Sequence, residues 1–351
     1  MQQKQVYLIS PAGYPNLGDE WIAHIRIEQC LAESADLLVY LDCPCPDMFM
    51  YLFPKYRCHP RVRIVCINWR WYWELQQDGV WGGLEKIDGA VNSTGHPRTP
   101  GELLWKTQLQ SDNFRPSRIE VLGGGYVNDM WPTHGLVLGM AVAMKARLAA
   151  ELSWRQCSVM PMSNTLLFDL TSTIGEFDNI STRDAASSER LAAVFPRVQL
   201  QDDAVMSDLQ SPRPILRKPA MTPAVRPHVY INLGRDVYSA EDFSSAFDRL
   251  VVALRPLMAT HQPIYLVANP VADHIALDRL RSIFRNIQTW DLPRLIDMTC
   301  NDNVQWLIPE QSTAIVSRFH LRMYLGQAGV LGRYFSMGTY YVNKHASIER
   351  Y

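Results

Sequence analysis

The chain has 351 residues, of which 47% are hydrophobic and 20% charged, as is typical of a folded globular protein. Its formal net charge of −1 leaves no overall basic field for binding nucleic acid. No run of apolar residues approaches the roughly 20 that are needed to cross a bilayer, and the opening MQQKQVYLIS is unlike a signal peptide. The seven cysteines are scattered through the chain, which favours reduced thiols. These features predict a cytoplasmic protein.

Strands and helices alternate through the first half of the chain, as hydrophobic periodicity shows. Strands are predicted at 5–10, 37–41, 62–68, 119–122, 157–162 and 179–181. Helices are predicted at 20–34, 136–152 and 187–194. The second half restarts the same pattern, with strands at 228–233, 264–268, 304–308, 314–316 and 340–342, and helices at 240–257, 273–284 and 321–328.

A proline-rich stretch at 207–227 separates the two halves and is predicted to be a linker, because proline fixes φ and removes a hydrogen-bond donor. We therefore expect an N-terminal α/β domain at 1–206, which would be the acceptor side, and a C-terminal α/β domain at 228–351. Strand–helix alternation in both halves favours two doubly wound, Rossmann-like parallel sheets. Ligands bind beyond the carboxyl ends of such strands, so we expect the active site in a cleft that the two domains face.

The stretch GYPNLGDE at 13–20 follows the first predicted strand and contains three candidate ligand-loop residues, Gly13, Asn16 and Gly18. Glycine and asparagine permit tight turns, and Asp19 would suit the positive end of the helix that follows. An ordinary strand–helix turn is the common alternative. The stretch lacks the G-K-[ST] ending of a phosphate-binding P-loop.

A second glycine-rich turn, 123–125, directly follows the strand at 119–122. Its members Gly124 and Gly125 would let the backbone approach a ligand closely. The turn does not match G-x-G-x-x-G, so a dinucleotide is not indicated, and a structural turn is nearly as good an interpretation.

Cationic side chains follow several of the predicted strands. Arg183 would suit bidentate binding of a carboxylate or phosphate, although a local pair with an aspartate is the alternative. Arg318 and His320 follow the strand at 314–316, and a histidine there could transfer protons. Lys344 follows the last predicted strand and would by itself be an ordinary surface lysine.

Aromatic residues alternate at 69–73, where Trp69 and Trp71 would point the same way along an extended segment and could stack on a sugar ring. A place in the domain core or in an oligomer interface is the more common role. Elsewhere, Cys43, Cys45 and Cys58 lack the paired C-x-x-C spacing of structural zinc sites, so no metal is predicted.

Taken together, these stretches resemble the polysaccharide pyruvyl transferase family. That family carries, in order, a G-x-x-N-x-G-D-E-type loop, a G-G-G turn, an I-S-x-R-D-x-x-S stretch, a D-x-A segment, an S-x-R-L-H stretch, and a late Y-x-x-K. The corresponding stretches here are 13–20, 123–125, 180–187, 202–205, 317–320 and 341–344. Two departures are Phe319, which replaces the usual leucine, and 160–163, which lacks the family's glycine-containing turn.

The resemblance implies a glycosyltransferase-B-like fold and a transferase that moves pyruvate from phosphoenolpyruvate onto a sugar in polysaccharide biosynthesis, without a metal or cofactor. It places the donor-binding arginine at Arg183 and the catalytic histidine at His320. Phosphoenolpyruvate is multiply anionic, so Arg318 and Lys344 are further candidate donor-binding cations. His320 would protonate the enol carbon, and Asp19 is the candidate base for a sugar hydroxyl.

Two other functions remain open. A nucleotide-sugar-dependent glycosyltransferase could use the same architecture, since fold does not fix chemistry. A non-catalytic partner in a polysaccharide-assembly complex would not depend on His320. The acceptor sugar is unspecified, and a lipid-linked acceptor would place the enzyme at the inner face of the membrane.

Overall fold

The structure, a computed structural model, describes residues 3–92, 96–123, 125–210, 220–223, 226–236, 238–300 and 307–334. It divides into two compact units. The first unit comprises Met1–Tyr14 and Ile22–Asp203, and the second comprises Pro15–Trp21 and Ala204–Tyr351. The segment Pro15–Trp21 thus belongs to the second unit, although the sequence predicts that it is part of an N-terminal domain at 1–206.

The first unit is built on a seven-stranded parallel sheet with the strand order β3-β2-β1-β4-β5-β6-β7. Its strands are β1 (Gln5–Ile9), β2 (Leu38–Asp42), β3 (Val62–Val65), β4 (Arg118–Leu122), β5 (Glu151–Cys157), β6 (Asn179–Thr182) and β7 (Gln199–Leu200). All five residues of β1 are buried, as expected for a central strand that is covered on both faces.

In the described part of the chain, eight helices accompany this sheet, and the first of them starts within the second unit. They are α1 (Leu17–Glu33), α2 (Pro46–Leu52), α3 (Asn68–Leu75), α4 (Gly79–Asn92), α5 (Pro100–Gln110), α6 (Gly135–Leu148), α7 (Asn164–Gly175) and α8 (Ala185–Ala192). Short 3₁₀ turns lie at Pro54–Tyr56, Gln76–Asp78 and Pro132–His134. None of the helices in the described part of the chain is both long and apolar enough to cross a membrane.

The second unit repeats the doubly wound pattern with a five-stranded parallel sheet in the order β11-β10-β9-β13-β14, and β8 pairs with β12 in a separate two-stranded sheet. Its strands are β8 (Ala220–Thr222), β9 (His228–Asn232), β10 (Gln262–Leu266), β11 (Gln288–Trp290), β12 (Leu307–Pro309), β13 (Thr313–Val316) and β14 (Leu331–Tyr334). Its helices are α9 (Ala204–Gln210), α10 (Ala240–Leu254), α11 (Pro270–Ile283), α12 (Leu292–Cys300) and α13 (Phe319–Gln327), with a 3₁₀ turn at Leu257–Ala259.

The predicted strand at 157–162 is wrong, because β5 runs from Glu151 to Cys157 and the following residues form a loop with a cis Met160–Pro161 bond. Pro161 has no N–H to donate to a strand ladder. The preceding helix α6 ends at Leu148 rather than at 152, and Ala149 then takes a left-handed conformation with φ of 52°. Polar residues within β5 broke the apolar run on which the sequence analysis relied.

The predicted linker at 207–227 contains regular structure. Residues 207–210 complete α9, where Val205, Met206 and Leu209 are buried, and β8 pairs in parallel with β12. Burial of apolar residues in the helix and ladder hydrogen bonds in the strand outweigh the proline-rich composition. Residues 211–219 and 224–225 lie outside the described part, as does the predicted strand at 340–342.

The expectation of an extended segment at 69–73 is also wrong, because these residues belong to α3. Trp69 and Trp71 are only 1% and 2% exposed and belong to the core of the first unit. Buried residues of α3 fall at 68, 69, 71, 72 and 75, which is the spacing of a helix face. The two tryptophans therefore pack in the core, in agreement with the alternative reading, and are not placed to stack on a sugar.

A buried histidine in α1 makes the stability of the first unit pH-dependent. The ring of His24 stacks on Phe53 at 4.8 Å, and its Nδ1 lies 2.7 Å from the Tyr56 hydroxyl, which donates to Glu28. Burial, with a smaller contribution from the charge of Lys55, lowers the pKa of His24 to about 3 from its ordinary 6.5. His24 is therefore held neutral in the folded protein.

We expect the free energy of unfolding to fall as the pH is lowered from 6.5 towards 3. In this range His24 binds a proton in the unfolded state but stays neutral in the folded state. The contribution of this one group is at most about 1.4 kcal/mol per pH unit. Urea unfolding of the wild type and of His24→Gln, between about pH 7 and 5, measures it. Equal pH slopes for the two proteins would contradict the prediction.

Candidate functional site

Two of the predicted glycine turns start side by side in the first unit. The strand order of its sheet reverses between β1 and β4, and ligands bind such sheets at the carboxyl ends of the strands where the order reverses. Gly13 lies in the loop after β1, and Gly125 lies in the loop after β4. Gly124 lies outside the described residues.

Local packing accounts for Gly13, whereas Gly125 takes part in a structural hydrogen bond. Gly13 has a φ of 86°, and a Cβ there would lie 2.5 Å from the backbone oxygen of Cys45. The carbonyl of Gly125 accepts a hydrogen bond from the side-chain amide of Asn128 at 2.8 Å. Contact of either glycine with a ligand stays a prediction.

The second unit has its own reversal of strand order, between β9 and β13. The loop after β9 begins at Leu233, and the chain after β13 begins at Ser317. Arg318 is the N-cap residue of α13, and His320 lies in the first turn of that helix. Both predicted residues therefore sit at the edge of the sheet where a ligand is expected.

The start of α1 packs against this same edge within the second unit. The N–H of Leu17 donates to the carbonyl of Ala268, at the end of β10, over 2.8 Å. The Trp21 ring meets the Tyr324 ring of α13 edge to face, with ring centroids 5.5 Å apart. The early loop is therefore an integral part of the second unit.

Gly18 lies directly against the ring of His320. A Cβ on Gly18 would be 2.1 Å from Nδ1 and 2.6 Å from Cε1 of that ring, so no larger residue fits without displacing the histidine. The Phe319 ring packs edge to face against the same imidazole at 5.1 Å. The structure therefore brings together Gly18 and His320, which the sequence places near opposite ends of the chain.

Asp19 directly follows the glycine that supports His320. It is half-buried, and its carboxylate accepts a hydrogen bond from the side-chain amide of Asn16 at 2.8 Å. The carbonyl of Asn16 accepts from the backbone N–H groups of Asp19 and Glu20, at 3.0 and 3.1 Å. Asn16 thus closes the first turn of α1 and orients the Asp19 carboxylate.

Arg318 is buried and is held by two carboxylates. Its Nε and Nη2 donate to Oδ1 of Asp273 at 3.2 and 2.6 Å. Its Nη1 and Nη2 donate to the two oxygens of Asp236 at 2.9 and 2.8 Å. The guanidinium lies on Gly234, where a Cβ would be 2.6 Å from Nη2.

Asp273 is the centre of a buried network that sequence reasoning missed. Its Oδ2 accepts hydrogen bonds from Asn232 and from the backbone N–H groups of Ala268 and Asn269, at 2.8, 2.9 and 2.9 Å. It therefore ties together the chain ends of β9 and β10 and, through Arg318, of β13. The sequence signal for this network is the set of polar residues at the ends of two predicted strands, at 232–236 and 268–273.

The Tyr265 hydroxyl, which is uncharged, also belongs to this network. It lies 3.0 Å from the carbonyl oxygens of both Leu233 and Asp273, and burial raises its pKa well above 10. Ser317 donates to the side-chain oxygen of Asn232 and accepts from the N–H of Gly234. The edge of the second sheet is thus held in place by satisfied buried polar groups.

Arg183 follows β6 in the first unit and pairs with Asp203. Its side chain is 2% exposed, and its Nη1 lies 2.7 Å from Oδ2 of Asp203. The contact joins two stretches that carry the family resemblance, 180–187 and 202–205. Pairing with an aspartate was the alternative interpretation of Arg183, and a role in donor binding stays a prediction.

The next residues of the same stretch have structural roles. The carboxylate of Asp184 caps α8 by accepting from the N–H and the hydroxyl of Ser187, at 2.8 and 2.9 Å. The Ser187 hydroxyl also accepts from the N–H of Val159 at 2.9 Å. Capping of α8 and fixing of the loop after β5 explain both residue types at this spacing.

Among the described residues, no group of three or more His, Cys, Asp and Glu side chains is arranged to hold a metal ion. Lys344, the last predicted donor-binding cation, lies outside the described part of the chain.

A comparison with family models and a comparison with curated proteins found no match to this chain. Solved structures do match over nearly its full length. A candidate UDP-N-acetylglucosamine 2-epimerase from Listeria monocytogenes has a TM-score of 0.57 at 11% identity, covering 98% of this chain and 82% of that chain. A glycosyltransferase from Rickettsia africae has a TM-score of 0.51 at 9% identity, covering 96% and 80% respectively.

A UDP-N-acetylglucosamine 2-epimerase from Rickettsia bellii matches with a TM-score of 0.50 at 10% identity, covering 95% of this chain and 78% of that chain. Likeness at such identities concerns the fold and leaves the chemistry open. The prediction of an α/β protein with two doubly wound units is confirmed, and the chain has a glycosyltransferase-B-like fold.

Proposed function

We propose that this protein is a transferase that moves pyruvate from phosphoenolpyruvate onto two hydroxyls of a sugar, forming a ketal. The observation that carries the proposal is the contact between Gly18 and His320 within the second unit. Gly18 belongs to the first stretch that resembles pyruvyl transferases, and His320 belongs to a late one. Two stretches identified separately in the sequence thus form one surface, at the sheet edge where ligands bind.

The reaction assigns a role to each group on this surface. His320 donates a proton to the methylene carbon of phosphoenolpyruvate, which makes C2 electrophilic. A sugar hydroxyl adds to C2 and loses its proton, for which the Asp19 carboxylate is the acceptor. The C2–O bond to phosphate breaks, and phosphate leaves with the bonding pair. A second hydroxyl then adds to C2 and gives its proton to the departing phosphate, which closes the ketal.

A donor with this much negative charge needs cations. Arg183 and Arg318 are the candidates, and each is paired with carboxylate in the structure, Arg183 with Asp203 and Arg318 with Asp236 and Asp273. These pairs hold the guanidinium groups in fixed orientations, which favours planar bidentate recognition of a carboxylate or phosphate. Binding of the donor to either arginine then requires that a paired aspartate shares the guanidinium with the donor or is displaced by it.

A second candidate function is the conversion or transfer of a nucleotide sugar. It is favoured by the likeness of the fold to a glycosyltransferase and to UDP-N-acetylglucosamine 2-epimerases. Such an enzyme would bind a nucleoside diphosphate sugar and would be indifferent to phosphoenolpyruvate.

Thermal unfolding with millimolar phosphoenolpyruvate, or with UDP-N-acetylglucosamine, separates the two functions. We expect phosphoenolpyruvate to stabilise the wild type, because a ligand that binds only the folded state adds about 2.7 kcal/mol at roughly 100 times its Kd. Arg183→Ala should abolish this stabilisation. Asp203→Asn, which removes the partner carboxylate but keeps Arg183, should retain it.

Stabilisation by UDP-N-acetylglucosamine alone would contradict pyruvyl transfer and support the second function. Stabilisation by neither ligand, even after addition of sugar acceptors, would favour a non-catalytic partner in polysaccharide assembly.

A further inference from the structure

The two carboxylates that hold Arg318 differ sharply in accessibility. The Asp273 side chain is fully buried, whereas 30% of the Asp236 side chain is exposed. Asp273 also accepts three further hydrogen bonds, from Asn232, Ala268 and Asn269. The hydrogen bonds found for the Asp236 carboxylate both come from Arg318. Among the described residues, Asp273 therefore binds several parts of the fold, while the Asp236 carboxylate binds Arg318.

Arg318 does not need Asp236 to keep its orientation. Asp273 binds its Nε and Nη2, and the backbone of Gly234 lies directly beneath the guanidinium. Asp236 occupies the other edge, Nη1 and Nη2, with both of its oxygens. This parallel two-bond arrangement is the one in which arginine binds the carboxylate or phosphate of a ligand.

The charges around Arg318 work against a ligand anion as long as Asp236 stays in place. Among the described residues, Asp236 and Asp273 form ion pairs with Arg318, and the negative charge of Asp236 at Nη1 and Nη2 repels a ligand anion. Loss of Asp236 from the pair would keep Arg318 bound to Asp273 and would remove a competing carboxylate from Nη1 and Nη2. Because the Arg318 guanidinium is buried, loss of Asp236 without a replacement would be costly, so the carboxylate or phosphate of the ligand has to take its place.

We propose that Asp236 is an internal competitor that occupies the anion-binding edge of Arg318 and is displaced by the carboxylate or phosphate of the donor. Asp236 lies between β9 and α10, next to the reversal of strand order where ligands bind. The inference rests on anion recognition and holds for phosphoenolpyruvate and for a nucleoside diphosphate alike. It is therefore separable from the proposed pyruvyl transfer.

Titration calorimetry of the full chain with two probes, phosphoenolpyruvate and inorganic pyrophosphate, tests the proposal. Asp236→Asn keeps the size of the side chain and removes the competing charge, so it should lower the Kd of at least one probe by about tenfold or more. Asp236→Ala, which also removes the oxygen that could still pair with Arg318, should do the same. Glu241→Gln removes an exposed charge from the first turn of α10 and should leave both Kd values within about twofold of wild type.

Unchanged Kd values in both Asp236 variants would overturn the proposal, as would failure of both probes to bind the wild type and the variants. An equal gain in Glu241→Gln would also overturn it, because the effect would then be one of net charge. Tighter pyrophosphate binding without any phosphoenolpyruvate binding would support the role of Asp236 and contradict phosphoenolpyruvate as the donor.

Discussion

Replacing Asp273 with alanine is expected to lower the free energy of unfolding by about 3–5 kcal/mol. The buried carboxylate accepts hydrogen bonds from Arg318, Asn232 and two backbone N–H groups. Removal of the carboxylate leaves those donors buried without a hydrogen-bond acceptor. Each unsatisfied buried polar group lowers the free energy of unfolding by about 1–3 kcal/mol. Urea unfolding of the purified variant measures the loss.

Asp278→Ala is the matched control, since Asp278 lies in the same helix, α11, with an exposed side chain. This change should alter stability by no more than about 0.5 kcal/mol. If Asp273→Ala proved as harmless as Asp278→Ala, the network would not be what holds the carboxyl ends of β9, β10 and β13 together.

Replacing Gly18 with alanine should disable the site while leaving the fold largely intact. The new methyl group would overlap the His320 ring, with Cβ only 2.1 Å from Nδ1 before any adjustment. Forcing a carbon into a packed position costs about 1–3 kcal/mol, and the imidazole must move aside. Because displacement of a reacting group by about 1 Å can cost a hundredfold in rate, transfer activity should fall by about that factor.

Gly326→Ala supplies the control for Gly18→Ala. Gly326 lies in α13, the helix that carries His320, and a Cβ there has no heavy atom within 4 Å among the described neighbours. Alanine in the interior of a helix should stabilise the protein by up to about 1 kcal/mol and leave activity unchanged. Activity of Gly18→Ala equal to that of Gly326→Ala would show that the position of the His320 ring does not matter for the reaction.

The sequence predicted the central strands because burial on both faces makes them apolar. The predicted strands at 5–10, 228–233, 264–268 and 314–316 correspond to β1, β9, β10 and β13. Prediction failed where the pattern of residues had two interpretations. The tryptophans at 69, 71 and 73 fit an alternating strand, but Tyr72 and Leu75 complete a buried helix face that only the fold reveals.

The types of residue at the candidate site could be predicted, but their partners could not. Arginine, histidine and glycine just after strands are local signals. The carboxylates that hold Arg318, on the loop after β9 and on α11, are brought to it by the strand order of the second sheet. Gly18 contacts His320 because Pro15–Trp21 packs in the second unit. No local sequence pattern indicates that packing.

That assignment limits how the protein can be cut into fragments. A polypeptide that starts at Ala204 would contain all the strands of the second sheet but would lack the Leu17 amide that binds Ala268 and the Trp21 ring that covers Tyr324. During synthesis, residues 15–21 leave the ribosome before Ala268 and Tyr324, so their contacts with these residues form only after the later part of the chain has emerged. We therefore expect a separately expressed C-terminal half to be less stable than the same unit in the full chain, and a peptide that contains residues 15–21 to restore part of that stability.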